Sequence, residues 1–287
     1  MIAVLKHELS NYFHSLTAYI FSAFLLAFVG IGAMLYNIQS AVANFEYVLS
    51  FVCLGFVVII PILTMRVIAE ERKQKTDQLL YSLPIKTSEI VIGKYFALLS
   101  VYLVPLCIVA VYPAIFAQYG DVYLLTSYGS LLAFFIMGAA FIAIGTFISS
   151  LTDNQGFAAG ITIPVILLNY YSVTLAEYVS STAFGSLISL VVIALLLGLV
   201  VQYVTKNENA ACLTCIVLTA VTCIAYFIDS TKFEGLLPDI MTKLSLFERF
   251  YTFVNGVFDM TAIVYYVTVI IFFLFLSVQS LEKRRYN

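Results

Sequence analysis

Tryptophan is missing altogether from these 287 residues, histidine occurs twice, and charged residues make up only 10% of the chain. Each scarcity removes a class of protein. With 62% hydrophobic residues and a mean hydropathy of +1.03, the composition lies outside the balance of soluble domains, and the chain reads as a membrane protein. A formal net charge of -2 supplies no basic face of the size that phosphate backbones require, which excludes a nucleic-acid partner. His7 and His14 both lie near the amino terminus, and His7-Glu8 lacks the second histidine of an H-E-x-x-H motif. No apolar segment holds two central aspartates or a serine nucleophile with its base, so catalysis in this chain has no residues to run on. A phosphate-binding G-x-x-x-x-G-K-[ST] is also missing, because Gly93-Lys94 is followed by Tyr95 and enters an apolar run.

The five cysteines, Cys53, Cys107, Cys212, Cys215 and Cys223, all sit in apolar runs, where cysteine behaves as a small hydrophobe. Cys212 and Cys215 form a C-x-x-C, but no histidine or second cysteine pair lies near them in sequence, and no metal site is expected. Many of the 20 tyrosines lie near the ends of apolar runs and take over the interfacial belt that tryptophan would otherwise form.

What the chain does have is long apolar runs. Eight reach the length needed to cross a bilayer as helix, at about 16–37, 47–68, 92–117, 128–150, 157–176, 185–205, 210–228 and 261–281. The first is of full span length, so the amino terminus reads as a retained span and not a cleaved signal peptide. An even number of spans puts both termini on one side. With that side cytoplasmic, Lys6, Arg66, Arg72, Lys73, Lys75, Lys86, Lys94, Lys206, Lys283, Arg284 and Arg285 all face inward, eleven of the 14 basic residues. Acidic residues divide evenly, as expected when orientation follows positive charge.

Two further pieces are amphipathic. In residues 1–15 and the adjoining Leu16, Ile2, Leu5, Leu9, Tyr12 or Phe13, and Leu16 recur at spacings of three and four, which predicts a helix lying in the membrane interface. On the outer side, residues 229–260 carry Leu236, Ile240, Leu244, Phe247, Phe250, Val254 and Val257 at helical spacing, which predicts one or two extracytoplasmic amphipathic helices. With no internal repeat or flexible linker, the reading is an all-α polytopic membrane protein forming one domain over 1–287.

The longest charged interval is "RVIAEERKQKTDQLLYSLPIKTSEIVIGK", residues 66 to 94. Residues 70–84 follow the second span without a breaker, and Pro84 stops the helix. Thr76, Leu79, Leu80 and Leu83 make a short apolar edge against Lys73, Gln74, Asp77 and Gln78. After Pro84 the helix restarts at Thr87 or Ser88, either a plausible N-cap, with Glu89 favourably placed in the first turn. Arg66 and Glu70, one turn apart, are spaced to pair. The segment is either a loop whose positive charges only fix topology, or a cytoplasmic docking helix whose push is transmitted into two spans.

Several of these residues carry a resemblance. E-R-x-x-x-T-x-x-x-L-x-x-x-P, present as Glu71, Arg72, Thr76, Leu80 and Pro84, followed by S-E-I-x-x-G-K at Ser88 to Lys94, resembles the coupling-helix region of ABC-2 type exporter permeases. The ending "LSLFERFYTFVNGVFDMTAIVYYVTVIIFFLFLSVQSLEKRRYN" and the opening "LKHELSNYFHSLTAYI" are similar to the gliding-motility-like branch of that family. The match spans both ends and the hairpin. Such permeases usually have six spans, which makes the pair within 185–228 the extra one.

The resemblance implies a permease subunit that pairs with a second copy or a paralogue in a bacterial plasma membrane. Each copy docks on a cytoplasmic ABC ATPase subunit that binds the ATP and Mg, leaving no cofactor in this chain. An extracytoplasmic auxiliary subunit is a further possible partner. The ATPase-coupling residues would be Glu71, Arg72, Lys75, Thr76, Asp77, Leu79, Leu80 and Pro84. A second reading is a membrane anchor or mechanical signalling subunit driven by the same kind of ATPase without transport.

Elsewhere, Gly156 and Gly160 form a G-x-x-x-G that permits close helix approach, either within the chain or at a dimer interface. Asn169 and Tyr170 lie deeper in the fifth span, where an amide needs either an interhelical partner or a water-lined pathway.

Overall fold

The computed structural model describes residues 1–76, 85–205 and 208–286, and every regular element among them is helical. The helices are α1 (Ile2–His14), α2 (Leu16–Gly32), α3 (Glu46–Thr64), α4 (Ala69–Gln74), α5 (Thr87–Val109), α6 (Val111–Phe116) and α7 (Leu124–Leu151). They continue with α8 (Gln155–Tyr178), α9 (Ala183–Thr205), α10 (Glu208–Ile228), α11 (Leu236–Leu244), α12 (Leu246–Val254) and α13 (Met260–Tyr286). A π-helical stretch, Ala33–Gln39, extends α2. Among the described residues, six helical segments are long and apolar enough to cross a membrane: Leu16–Gln39, Glu46–Gln74, Thr87–Phe116, Leu124–Leu151, Gln155–Tyr178 and Met260–Arg284. The protein is a multi-pass membrane protein. The sixth and seventh expected spans correspond to α9 and α10, whose described apolar stretches, Ala183–Leu195 and Cys212–Ile228, are shorter.

The chain divides into two compact units, Met1–Leu168 with Arg249–Asn287, and Asn169–Glu248. In the first, α3 and α7 are the most deeply buried spans; α2 packs on α3, α7 packs on α3 and α13, and α1 lies along α5. The pairing of α3 with α7 follows from small residues. A side chain at Gly145 would collide with Thr64, so only glycine lets the two backbones come this close. Phe56 and Phe134 fill the next layer with ring centroids 4.6 Å apart. Tyr95 and Tyr102 of α5 donate to the Ala139 and Phe134 carbonyls of α7 at 3.1 and 3.0 Å, which satisfies two buried hydroxyls.

In the second unit α9 and α10 pack as a hairpin beside a short 3-10 turn, Ser230–Phe233, and α11. Of the one or two amphipathic helices expected over 229–260 the chain forms two, α11 and α12, with a break in the helical register between them. Ser245 is extended and its hydroxyl accepts from the Glu248 N–H at 3.2 Å, capping α12 and resetting the helical phase. Leu244 and Val257, expected on the apolar stripe, are accordingly exposed, while Leu237, Phe247, Phe250 and Phe253 are buried.

The hairpin base also differs from its expectation as an unbroken helix. The regular helix of the second span stops at Thr64, passes through a turn over 65–68 in which Ile68 departs from helical angles with φ -122°, resumes as α4, and ends at Gln74 because Lys75 adopts a left-handed conformation with φ 58°. Asp77, Leu79, Leu80 and Pro84 lie outside the described residues. At the restart, Lys86 and not Thr87 or Ser88 occupies the cap position of α5, and Thr87 is buried as the first helical residue.

Candidate functional site

Where the second span breaks, the chain bares backbone donors that no helix satisfies. Ser149, on α7, answers them: its hydroxyl accepts from the Ile68 and Ala69 N–H groups, each at 3.2 Å, and donates to the Met65 carbonyl at 3.3 Å. This is a helix cap supplied from another helix. The guanidinium of Arg66 bridges the same break from the other side, bonding both oxygens of Glu70 at 2.6 and 2.7 Å and the Thr17 hydroxyl at 2.6 Å. The expected Arg66–Glu70 pair is present, and it additionally reaches the start of α2.

One turn along, Glu71 points to Lys94. The Lys94 ammonium, 1% exposed, lies 2.6 Å from Oε1 of Glu71 and 2.6 Å from Oε1 of Glu8. A buried ammonium is tolerated only when paired and hydrogen-bonded, and here two carboxylates from different elements supply the pairing. The approach of α1 that brings Glu8 within reach depends on Gly93, where a side chain would press on Val4 and the Met1 carbonyl at 3.2 to 3.3 Å. Gly93 and Lys94 thus act in sequence: the first admits α1, the second fastens it.

The face of α1 turned inward is Val4, Glu8 and Tyr12. Of the predicted apolar stripe, Tyr12 is buried while Ile2 and Leu16 stand 75% exposed, on the side available to lipid. The chain leaves α1 at Ser15, whose hydroxyl donates to the Tyr12 carbonyl at 3.0 Å and whose extended backbone turns it into α2.

Between α1 and the segment Arg66–Thr76 lies a cleft of about 600 Å³, lined chiefly by His7, Glu8, Asn11, Tyr12, Thr17, Arg66, Glu70, Glu71, Gln74, Thr76 and Lys94. Burial and the neighbouring Glu8 carboxylate push the Tyr12 phenol well above its ordinary value, so it stays a neutral hydroxyl. On the opposite flank of α4, Arg72 is buried with its Nη1 4.0 Å from Asp153, and Arg284 at the end of α13 reaches the same carboxylate at 2.6 Å.

Of the residues singled out in the hairpin, Glu71 and Arg72 therefore engage partners inside the chain, while Lys75 forms the left-handed turn and Thr76 bonds back to the Glu71 carbonyl at 3.3 Å. Glu8, Thr17 and Ser149 were not singled out, since each is one polar residue in an apolar or amphipathic run. Glu8 and Lys94 stand 86 positions apart, and no local pattern links them.

Gly156 and Gly160 are both exposed; among the described residues a side chain at Gly160 would meet nothing within 4 Å, and one at Gly156 would meet only Asn154 Oδ1 at 3.4 Å. The Asn169 amide holds the kink between α11 and α12: its oxygen accepts from the Leu246 N–H at 3.0 Å and its nitrogen donates to the Leu244 carbonyl at 3.3 Å. Tyr170 meets Phe247 edge-on with centroids 5.1 Å apart. Among the described residues no group of three or more His, Cys, Asp or Glu is placed to hold a metal.

Comparison with known proteins gives one family. The family model described as "ABC-2 family transporter protein" matches residues 4–179, more than half of the chain and the whole of the α1, hairpin and α5 site. No curated protein matches the chain.

Proposed function

This chain belongs to the ABC-2 transporter family, and within it we propose that the protein is the permease subunit of an exporter powered by a separate ATPase. The ATPase docks on the hairpin around residues 70–84 from the cytoplasmic side and carries the ATP and Mg. Both termini are cytoplasmic, and the membrane is the plasma membrane of a bacterium. The chain pairs with a second copy or a paralogue, using the open face of α8 at Gly156 and Gly160. Its two ends ally it with the gliding-motility-like branch.

The observation that carries this reading is the tie at Lys94. A docking segment does mechanical work only if its base is fixed to the elements that must move, and α4 is fastened to α5 through Glu71–Lys94 and to α1 through Lys94–Glu8. The Ser149 cap joins the same base to α7. A push on the hairpin then reaches α1 and three spans together, and ATP favours whichever arrangement its bound ATPase prefers.

The test is purification in mild detergent from the native cell, with identification of co-purifying chains and an ATPase assay. Replacing residues 76–84 by a Gly/Ser linker leaves Glu71 and Arg72 in place. A phosphate-loop ATPase that accompanies the wild type and is lost from the linker variant supports the proposal. An ATPase retained by that variant, or no ATPase at all, overturns it. ATPase activity that no added amphiphile stimulates would favour the anchor reading over export.

A further inference from the structure

We propose that Glu8, Glu71 and Lys94 form a proton-held latch, in which one proton shared between the two carboxyls fastens α1 to the base of the hairpin and its loss frees α1. The geometry begins at the ammonium. Oε1 of Glu8 and Oε1 of Glu71 each lie 2.6 Å from the same Nζ, which brings a carboxyl of α1 and a carboxyl of α4 to one point. There the two carboxyls also hydrogen-bond each other. Ionised carboxylates only accept, so a hydrogen bond between two of them requires a proton on one.

Charge balance agrees with that bond. Lys94 and Glu8 are both buried, and one ammonium with one carboxylate and one carboxylic acid is neutral. Two full carboxylates would leave a surplus negative charge where burial makes it costly, and neighbouring carboxyls avoid that by holding one proton between them. The surrounding charges are already spoken for. Arg66 is bonded to both oxygens of Glu70, Glu89 of α5 lies 3.8 Å from the Met1 ammonium, and Arg72 lies on the opposite flank beside Asp153. From α1, Tyr12 stays a neutral hydroxyl and His7 lines the cleft from an exposed position. Neither α2, which packs on α1, nor α7, which packs on α4, carries a charged residue.

Loss of the proton sets two ionised carboxylates of different elements against each other, and separation of α1 from α4 relieves the repulsion. The proton has a way out. The Glu71 side chain is 24% exposed and lines the cleft with the exposed His7, Asn11 and Gln74, so it exchanges with water there. The latched state holds one proton more than the open one, so it is favoured at low pH and weakens as pH rises. Linkage makes the relation reciprocal: a movement of the hairpin that parts Glu71 from Glu8 releases that proton. It enters the cytoplasm if the hairpin docks an ATPase as proposed above, a reading on which the latch itself does not rest.

The experiment is an infrared pH titration of the detergent-purified chain, paired with hydrogen exchange read by mass spectrometry, in a His7→Gln background that removes the imidazole from the cleft. The parent is compared with Glu8→Gln and with Glu71→Gln, each of which keeps one carboxylate for Lys94. Between about pH 6 and about pH 9 the parent should lose a protonated-carboxyl band that neither variant shows. Over residues 4–12 the parent should exchange about tenfold faster than either variant at the upper pH and equally at the lower, relative to α7 amides. Absence of the band, its persistence at the upper pH, or its survival in either variant overturns the proposal, the last by placing the proton on one residue alone. So does exchange in α1 that never separates parent from variants. If neither variant folds, the parent decides: loss of the band at the pH where α1 exchange accelerates supports the latch, and two separate midpoints overturn it. None of these readouts involves an ATPase, so a negative result here leaves the docking proposal standing.

Discussion

The ammonium of Lys94 meets the carboxylate of Glu8 at 2.6 Å across 86 positions of sequence, joining the amphipathic first helix to the third span by a buried ion pair. Glu71 completes the arrangement from the hairpin side at the same distance. Lys94→Met should destabilise the protein by about 3–5 kcal/mol, because it leaves two carboxylates facing each other without a cation. Neutralising both carboxylates alongside it, in the triple variant with Glu8→Gln and Glu71→Gln, should recover most of that loss. Thermal unfolding in detergent, followed by circular dichroism, reads both. A triple variant as unstable as Lys94→Met alone would mean that the lysine contributes through its packing and not its charge.

Ser149→Ala should cost about 1–2 kcal/mol, the range for removing a helix cap, since its hydroxyl serves two backbone donors at the break of the second span. The effect should be local. Hydrogen exchange at the Ile68 and Ala69 amides should accelerate more than at α3 amides such as Ile59. Uniform acceleration along α3 would show that the break is held by other contacts.

The spans were legible because a run of about 20 apolar residues has few other uses, and periodicity likewise located α1 and α11. The inward face of α1 was harder to read. Ile2, Leu5, Leu9 and Leu16 form its most hydrophobic stripe, but in a membrane the hydrophobic side faces lipid, so the row that packs inward, Val4, Glu8 and Tyr12, is the more polar one. The same inversion hid Ser149, whose short side chain on an apolar helix gives no sign that a break lies opposite. The Ser88–Lys94 motif was visible as a pattern, and its reason emerged only in three dimensions, where Gly93 admits α1 and Lys94 fastens it. Arg66 and Glu70 were found by spacing alone because their contact is local. What sequence withheld is long-range pairing, since a buried charge and its partner need share no local pattern.

Asn169→Leu should lower stability by about 1–3 kcal/mol, since the replacement leaves the Leu246 N–H without the amide oxygen that accepts from it at 3.0 Å. Exchange at the Leu246 amide should rise with it, while α10 amides such as Val221 stay protected. If the variant instead kept its stability and altered substrate-stimulated ATPase activity in the assembled transporter, the amide would belong to a pathway and not to the kink between α11 and α12.

Two glycines separate packing within the chain from packing between chains. At Gly145 a new side chain would run into Thr64, so Gly145→Ala should force α3 and α7 apart at a cost of about 1–3 kcal/mol. At Gly160 a side chain would meet nothing within 4 Å, so Gly160→Leu should leave the melting temperature of the isolated chain unchanged. If a second copy packs on this face of α8, the same substitution should block that close approach and shift the protein from dimer to monomer, read by crosslinking in native membranes or by mass photometry in detergent. A Gly160→Leu chain that still dimerises fully would move the pairing surface away from α8, whereas a Gly145→Ala chain that dimerises poorly would say nothing of the interface, because its core is already displaced.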